Sequence, residues 1–286
     1  MREIQVMQFL DVKTDYAFKK VFGSDKSKKI LISFLNAVID FEGDKKIVDL
    51  TIVDPYQIPL IKGMKDTFVD VKAVLSNNTR VIIEMQVLNV EGFEKRILYN
   101  AAKAYSTQLQ KSEHFKTLEP IIALTITDFY MFEDIDRIIT YFKLLEKETF
   151  ITYNDDIELI FVELPKFKKS EHELESITDK WIFFIKNAGS LEYIPESLTQ
   201  EKEIKEAFDI ANTAGMTEEE LEAQWKRHEF IYFQKNSIEF AARKARKEGK
   251  EEGIIETARN MLKMGIDKKI IMEAAGLTEE EIEKIK

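Results

Sequence analysis

The chain has 286 residues, of which 44% are hydrophobic and 33% charged, and its formal net charge is −10. This composition can build a folded core, and the length fits one large domain or two smaller ones. The lack of cysteine excludes disulfides, cysteine-ligated zinc, iron–sulfur clusters and a thiol nucleophile. The acidic balance argues against a protein that coats nucleic acid, because such proteins bind through a basic surface.

The positions of the histidines and the lengths of the apolar runs argue against further classes of protein. His114, His172 and His228 are widely separated, which argues against a metal site built from several histidines. The first residues contain no apolar stretch typical of a signal peptide. The longest apolar runs are also far shorter than the roughly 18–20 residues of a membrane span. We therefore expect a cytoplasmic protein without a membrane partner.

The first half of the chain predicts an α/β domain. Thr14 can cap a short helix that Gly23 ends, and residues 27–39 have apolar side chains at helical spacing. Further elements follow as strands at 47–54, 67–75 and 79–88, a helix at 93–111 and an apolar strand at 120–127. The order α, β, β, β, α, β predicts a mixed sheet covered by helices.

The second half is predicted to be mostly helical. One more strand is expected at residues 157–164, and helical periodicity begins near residue 171. A capping box opens a helix at Thr217, and Gly265 and Gly276 break the last fifty residues into separate helices. The predicted domains are residues 1–168 and residues 169–286.

Three polar side chains on neighbouring strands are the best candidates for chemistry. Asp70 lies in one apolar strand, and Glu84 and Gln86 lie in the next, where their spacing of two puts them on one face. A carboxylate in such surroundings is costly unless it is paired or binds a cation. The alternative to a cation site is a structural ion pair of Glu84 with one of the basic residues Lys72, Arg80 and Arg96.

The order of several motifs resembles a known family. The motifs are TDYAFKKVFG, FVDVKA, IIEMQV, the helix with Arg96 and Tyr99, and PIIALTIT. In this order the sequence resembles the Rpn family of recombination-promoting nucleases and putative transposases, of the PD-(D/E)XK nuclease superfamily, over about residues 11–190. The resemblance implies an α/β fold with a PD-(D/E)XK-type αβββαβ core, followed by a mostly helical C-terminal region.

The resemblance also implies a metal-dependent DNA endonuclease linked to transposition or recombination. Asp70, Glu84 and the backbone carbonyl of Met85 would bind Mg²⁺ or Mn²⁺, and Mg²⁺ suits a site with few carboxylates and several waters. Gln86 stands where the wider superfamily has lysine, so it can orient the attacking water but brings no positive charge. Asp15 is a possible additional carboxylate near the metal, or simply a residue that favours the helix dipole.

Basic residues provide candidate DNA contacts. Arg96 and Tyr99 share a helix face that could hold the scissile phosphate or Glu84, or could be ordinary surface. The other candidates are Lys19, Lys72, Lys103, Arg243, Lys244, Arg246 and Lys247. For Lys19 and for the residues from Arg243 onward, a solvated helix face is the default alternative. DNA is the expected partner.

The C-terminal segment from Arg259 has the helix spacing of a helix-turn-helix. Its third helix, however, carries Glu279, Glu280, Glu281 and Glu283, which would repel DNA phosphates. We therefore expect this segment to pack or to bind a partner, including a second copy of the chain. Two alternatives to the nuclease stay open: a catalytically silent relative that binds DNA or protein, and a helical interaction protein.

The turn at Ser76–Asn78 decides whether a metal site is possible. A two-residue turn would pair Asp70 with Met85 and direct Glu84 to the other face of the sheet. A three-residue connection pairs Leu75 with Thr79 and brings Asp70 opposite Glu84, with Cβ atoms roughly 4.5–5.5 Å apart. The metal-site hypothesis requires the second register or a correcting bulge.

Overall fold

The computed structural model describes residues 8–41, 46–57, 67–109 and 112–285. The first seven residues and the last two of the helix predicted at 93–111 lie outside this range. The chain divides into two compact units, the first ending at His228 and the second running from Glu229 to Lys286. The division therefore falls later than the predicted boundary at residue 168, because Trp181 and Phe208 are buried in the core that also packs against the sheet.

The first unit is an α/β domain. Its helices are α1 (Asp15–Phe22), α2 (Lys28–Val38), α3 (Phe93–Ser106), α4 (Ile177–Asn187), α5 (Glu196–Thr199), α6 (Lys202–Ala211) and the start of α7 (Glu218–Lys263). Its strands are β1 (Leu50–Val53), β2 (Tyr56–Gln57), β3 (Thr67–Phe68), β4 (Val71–Leu75), β5 (Arg80–Gln86), β6 (Ile121–Thr127), β7 (Ile139–Leu145) and β8 (Thr152–Glu163).

Six of these strands form one mixed sheet, as the sequence predicts. The order is β1-β4-β5-β6-β8-β7, and β2 and β3 pair separately. The pairs β5/β6 and β6/β8 are parallel, and the pairs β1/β4, β4/β5 and β7/β8 are antiparallel. The αβββαβ core is thus present. Strand β4, which Asp70 precedes, and strand β5, which carries Glu84 and Gln86, lie in the interior of the sheet.

Helices cover both faces of this sheet. Alternate residues of β5, such as Ile83, pack into the larger cluster with α1, α2, α4 and α6. Ile82 packs on the other face against Ala101 and Ala104 of α3. Every residue of β6 is buried, as predicted for a strand covered on both faces.

Local sequence explains where α1 begins and ends. The Thr14 hydroxyl accepts the backbone N–H of Ala17 at 3.4 Å, which satisfies one free donor of the first turn. At the other end, a Cβ on Gly23 would lie only 2.7 Å from the Lys19 carbonyl oxygen. The helix that carries Asp15 and Lys19 is therefore fixed at both ends.

The sequence does not predict β7 and predicts only the second half of β8. Strand β7 lies at the edge of the sheet, most of its side chains are partly or fully exposed, and its register shifts between Phe142 and Leu144. An edge strand of this kind needs no continuous apolar run and breaks its alternation at the irregularity.

The second unit contains the end of α7, then α8 (Lys268–Ala275) and α9 (Glu279–Lys284). Gly265 and Gly276 separate the three helices with φ of 77° and 66°, which confirms both predicted breaks. A small core of Ala258, Ile271 and Ile282 joins them. Across the described part of the chain, no helix combines the length and the apolar character needed to cross a membrane.

Candidate functional site

The hairpin between β4 and β5 has the three-residue connection that the metal-site hypothesis requires. Val71 pairs with Ile83 and Val74 with Arg80, and β4 begins one residue after Asp70. The backbone N–H of Leu75 donates to the Thr79 carbonyl at 2.9 Å, and Asn78 takes the left-handed conformation with φ of 68°. The three-residue connection predicted from the sequence is confirmed.

The pleat is interrupted at Asp70. Val69 packs with Ile82 on the α3 face, whereas Val71 packs in the cluster on the α1 face, although residues two apart in a regular strand share a face. The Asp70 backbone N–H donates to the Ile83 carbonyl at 3.0 Å, and its Oδ2 accepts the Met85 backbone N–H at 2.7 Å. The carboxylate of Asp70 therefore accepts a backbone hydrogen bond from β5, as a carbonyl of a neighbouring strand would.

Asp70 also contacts two residues of α1. Lys19 Nζ lies 3.4 Å from Asp70 Oδ1 and 2.7 Å from Asp15 Oδ1. Burial, together with a hydrogen bond to Asp15, raises the pKa of Asp70 to about 7. Partial burial opposes the charged form of Asp15, but hydrogen bonds with Asp70 and Lys19 outweigh it and lower the pKa of Asp15. The Asp15 and Asp70 carboxylates thus both contact the Lys19 ammonium.

Glu84 takes its partners from α3. Arg96 Nη2 forms an ion pair with Glu84 Oε1 and also donates to Gln86 Oε1 at 2.8 Å. Asn100 Nδ2 lies 3.4 Å from Glu84 Oε2. Of the three basic residues considered from the sequence, Arg96 is the one that pairs with Glu84.

Gln86 is bonded at both polar atoms of its amide. Its Oε1 accepts from Arg96, and its Nε2 donates to the Leu88 carbonyl at 2.7 Å. In this arrangement the amide holds Arg96 beside Glu84. The family resemblance implies a water-orienting role for Gln86, and that role stays a prediction.

The acidic residues have the oxygen donors that a hard divalent cation prefers. Their arrangement, however, does not form a cation site. Among the described residues, no group of three or more His, Cys, Asp or Glu side chains is placed to hold a metal ion. Asp15 and Asp70 contact Lys19 on the α1 side of the sheet, whereas Glu84 pairs with Arg96 on the α3 side. Carboxylate oxygens are nevertheless the ligands that Mg²⁺ and Mn²⁺ prefer. The raised pKa of Asp70 also marks a place where a cation would stabilise charge.

A cavity of about 490 Å³ lies at the start of α3, beside Arg96. Thr67, Phe93, Arg96 and Tyr99 contribute to its lining. Tyr99 lines this cavity and is also 37% exposed, so its contact with a phosphate stays a prediction.

Lys103 is not available as the DNA contact that the sequence suggests. The residue is 3% exposed, and its ammonium lies 3.4 Å from Thr67 Oγ1, because this turn of α3 packs against the sheet. Lys72 is only half-buried, and burial together with Arg80 lowers its pKa.

The remaining DNA-contact candidates lie on exposed helix surface in the second unit. Arg243, Lys244, Arg246 and Lys247 are all exposed along α7. In α9, Glu281 is bound by the capping box, because its carboxylate accepts the Thr278 backbone N–H at 2.8 Å. One of the four glutamates of this helix thus has a structural role.

Sequence reasoning missed the link between Lys19 and the acidic pair, as well as the contact of Asn100 with Glu84. The spacing of Asp15 and Lys19, one helical turn apart, is a signal for the first. No pattern in the sequence relates either residue to Asp70, because that contact depends on how α1 packs on the sheet.

Comparison with protein families agrees with this geometry. Residues 12–241 match the PD-(D/E)XK nuclease family transposase model. Since this is most of the chain, the protein belongs to that family. Residues 251–286 match the C-terminal HTH domain of the Rpn/YhgA-like nuclease family, which narrows the assignment to Rpn-type putative transposases. No match was found among curated proteins or among solved structures.

The C-terminal match corrects the expectation that this segment is not a helix-turn-helix. The helix lengths and the two glycine breaks fit such a domain, and the family model identifies it as one. The four glutamates of α9 favoured the wrong assignment, because net charge on one helix does not define the motif.

Proposed function

We propose that the protein is a Mg²⁺- or Mn²⁺-dependent DNA endonuclease that acts in transposition or recombination. The observation that carries this proposal is the buried Asp70, which lies against Asp15 and beside the strand of Glu84 in a nuclease-family fold. The raised pKa of Asp70 beside Asp15 supports it, because a bound cation would stabilise both charged carboxylates.

The reaction is hydrolysis of a phosphodiester. A water oxygen forms a new bond to phosphorus, one ester P–O bond breaks in line with it, and the water loses a proton while the leaving oxygen gains one. Asp70, Glu84 and the Met85 carbonyl would hold the cation, with Asp15 as an additional carboxylate. When bound, that ion would lower the pKa of the water and offset charge on the phosphate.

Arg96 has a separate part in this proposal. Its guanidinium orients Glu84 and is itself held by Gln86, and it also lines the cavity at the start of α3. A guanidinium at this position can bind a phosphate oxygen of the DNA while it keeps Glu84 in place. The substrate backbone would then pass along this end of α3.

The first experiment is plasmid nicking by wild type and Asp70→Ala, with Mg²⁺ or with EDTA. We expect Mg²⁺-dependent nicking by wild type and a loss of about a thousandfold in the variant, because the cation loses its main ligand. Asp49→Ala is the matched control, since Asp49 is an exposed aspartate that pairs with Lys28. Nicking that persists in EDTA or in Asp70→Ala would reject the proposal.

One observation favours the second candidate, a non-cleaving relative. Glu84 and Gln86 are both bonded to Arg96, as in a structural network. Such a protein would bind DNA but leave plasmid intact in every metal tested, so the same experiment separates the two candidates.

We propose that the second unit contributes to DNA binding through the basic residues of α7. Replacing Arg243, Lys244, Arg246 and Lys247 by Gln is expected to weaken DNA binding. The slope of log K against log salt concentration should then become shallower by about 0.9 for each phosphate that the variant no longer neutralises. Fluorescence anisotropy at several salt concentrations measures this. The control replaces Lys202 and Lys205 of α6, both exposed, and an equal change there would mean a general charge effect.

Self-association through the second unit is also proposed. Its support is the set of large apolar side chains exposed along α7 in this unit, which are Phe230, Tyr232, Phe233, Ile238 and Phe240.

A further inference from the structure

Lys19 is placed differently from an ordinary surface lysine. Its ammonium contacts Asp15, one turn earlier on the same helix, and also Asp70 on the sheet. An exposed pair within one helix contributes little to stability. Asp70, however, has only 13% of its side chain exposed and is hydrogen-bonded to Asp15. Lys19 is therefore the cation that both members of a carboxylate pair contact.

The side chain of Lys19 can leave this position. It is 40% exposed, and its flexible stem allows the ammonium to move without displacing α1. Helix α1 itself is anchored by Phe18 and Val21 in the core. The backbone thus stays fixed while the charged end has room to reorient.

Charge balance indicates what the site lacks. When both carboxyl groups are ionised, Asp15, Asp70 and Lys19 together carry one negative charge. A divalent cation would make this sum positive, and one phosphodiester would return it to zero. Glu84 and Arg96 already balance each other and do not alter the count. The loaded site is therefore complementary to a single phosphodiester.

We propose that Lys19 is a tethered counter-ion, which holds the Asp15–Asp70 pair without metal and moves to a phosphate oxygen once a divalent cation binds. This inference rests on the proposed nuclease function and adds a residue that contacts the substrate. Lys19 stays protonated throughout and forms no covalent bond. From its new position, its ammonium stabilises the charge that develops on the phosphate during in-line attack.

The test measures Mn²⁺ binding by calorimetry and DNA nicking, for wild type, Lys19→Met and Lys19→Arg. We expect Lys19→Met to bind Mn²⁺ about tenfold more tightly, because the competing ammonium is gone. The same variant should nick about 100-fold more slowly at saturating Mn²⁺, because it lacks the charge on the phosphate. Lys19→Arg should restore the wild-type Mn²⁺ affinity, which also shows that the site is folded.

Lys20→Met is the matched control. Lys20 is the next residue on α1, and its ammonium lies over the Tyr16 ring at 5.8 Å rather than at the acidic pair. We expect this variant to match wild type in both measurements. A change equal to that of Lys19→Met would overturn the inference, since it would reflect the charge of the helix as a whole.

The outcomes also separate this inference from the proposed function. Equal or weaker Mn²⁺ binding by Lys19→Met, or unchanged nicking, overturns the role of Lys19 while leaving the nuclease intact. A wild-type protein that binds Mn²⁺ but never nicks DNA rejects the nuclease, and the substrate contact of Lys19 with it. Tighter metal binding together with slower nicking supports the inference, because loss of a merely structural residue would weaken both.

Discussion

Glu84→Gln is expected to abolish DNA nicking, with a loss of about a thousandfold or more, while the protein remains folded. The change is nearly isosteric, and the amide oxygen of glutamine can still accept the hydrogen bond from Arg96. What it removes is the negative charge that a divalent cation requires from this position. Plasmid nicking measures the activity, and thermal unfolding followed by circular dichroism measures the fold.

Glu94→Gln is the matched control, because Glu94 is an exposed glutamate in the first turn of α3. It should nick DNA at the wild-type rate. Full activity in Glu84→Gln would show that Glu84 is not a metal ligand, whatever the family assignment.

Arg96→Met separates the two possible roles of Glu84. If Glu84 serves only as the ion-pair partner of Arg96, both single variants should destabilise the protein to a similar extent and leave Mn²⁺ binding alone. If Glu84 is a metal ligand, Glu84→Gln loses Mn²⁺ affinity, whereas Arg96→Met keeps it, because the freed carboxylate can turn to the cation. Calorimetry on the two variants therefore decides between an ion pair and a metal site.

The order of the main elements up to β6 follows from the sequence. The apolar periodicity of residues 27–39 and the fully apolar run of β6 depend only on local spacing, and both elements appear where expected. The register of the hairpin also follows, because Asn78 readily takes the left-handed conformation that a three-residue connection needs. Local chemistry was sufficient for these features.

The direction of the Asp70 side chain does not follow from the sequence. Strand pairing alone predicts that Asp70 and Glu84 share a face, but the interruption of the pleat between Val69 and Val71 turns Asp70 toward Met85 and α1. The interruption coincides with a hydrogen bond from the Asp70 N–H to the Ile83 carbonyl, which no local sequence pattern predicts.

The partner of Glu84 was likewise open among Lys72, Arg80 and Arg96. Only the position of α3 selects Arg96. Contacts between elements, rather than patterns within them, thus set the geometry of the site.

Asp70→Asn is expected to make the metal-free protein more stable than wild type above neutral pH. Asp70 has its pKa raised from 3.8 to about 7 in the folded protein, mainly by burial. A raised pKa means that the folded state binds the proton more tightly than the unfolded state. The stabilisation by protonated Asp70 is therefore complete below the ordinary pKa of 3.8. It is lost as the pH rises through about 7.

Asparagine at this position keeps the shape and can still accept the Met85 N–H, but it does not titrate. The stability of Asp70→Asn relative to wild type should therefore increase by about 2 kcal/mol between about pH 5 and pH 8, measured by urea unfolding in EDTA. Asp49→Asn is the control. Its effect on the pH dependence of stability should have the opposite sign, because a hydrogen bond from Lys28 lowers the pKa of Asp49. Parallel pH profiles for wild type and Asp70→Asn would show that Asp70 ionises normally.

A divalent cation should make wild type more stable than Asp70→Asn, which reverses the order expected without metal. At about pH 8, saturating Mn²⁺ is expected to stabilise wild type, because binding to the folded state alone adds free energy in proportion to the logarithm of the ligand concentration. Asp70→Asn lacks the charged ligand and should gain little. If Mn²⁺ stabilised both proteins equally, the cation would bind elsewhere. The predicted crossing, in which Asp70 destabilises the metal-free fold and stabilises the metal-bound one, is expected only of a carboxylate that is buried in order to hold a cation.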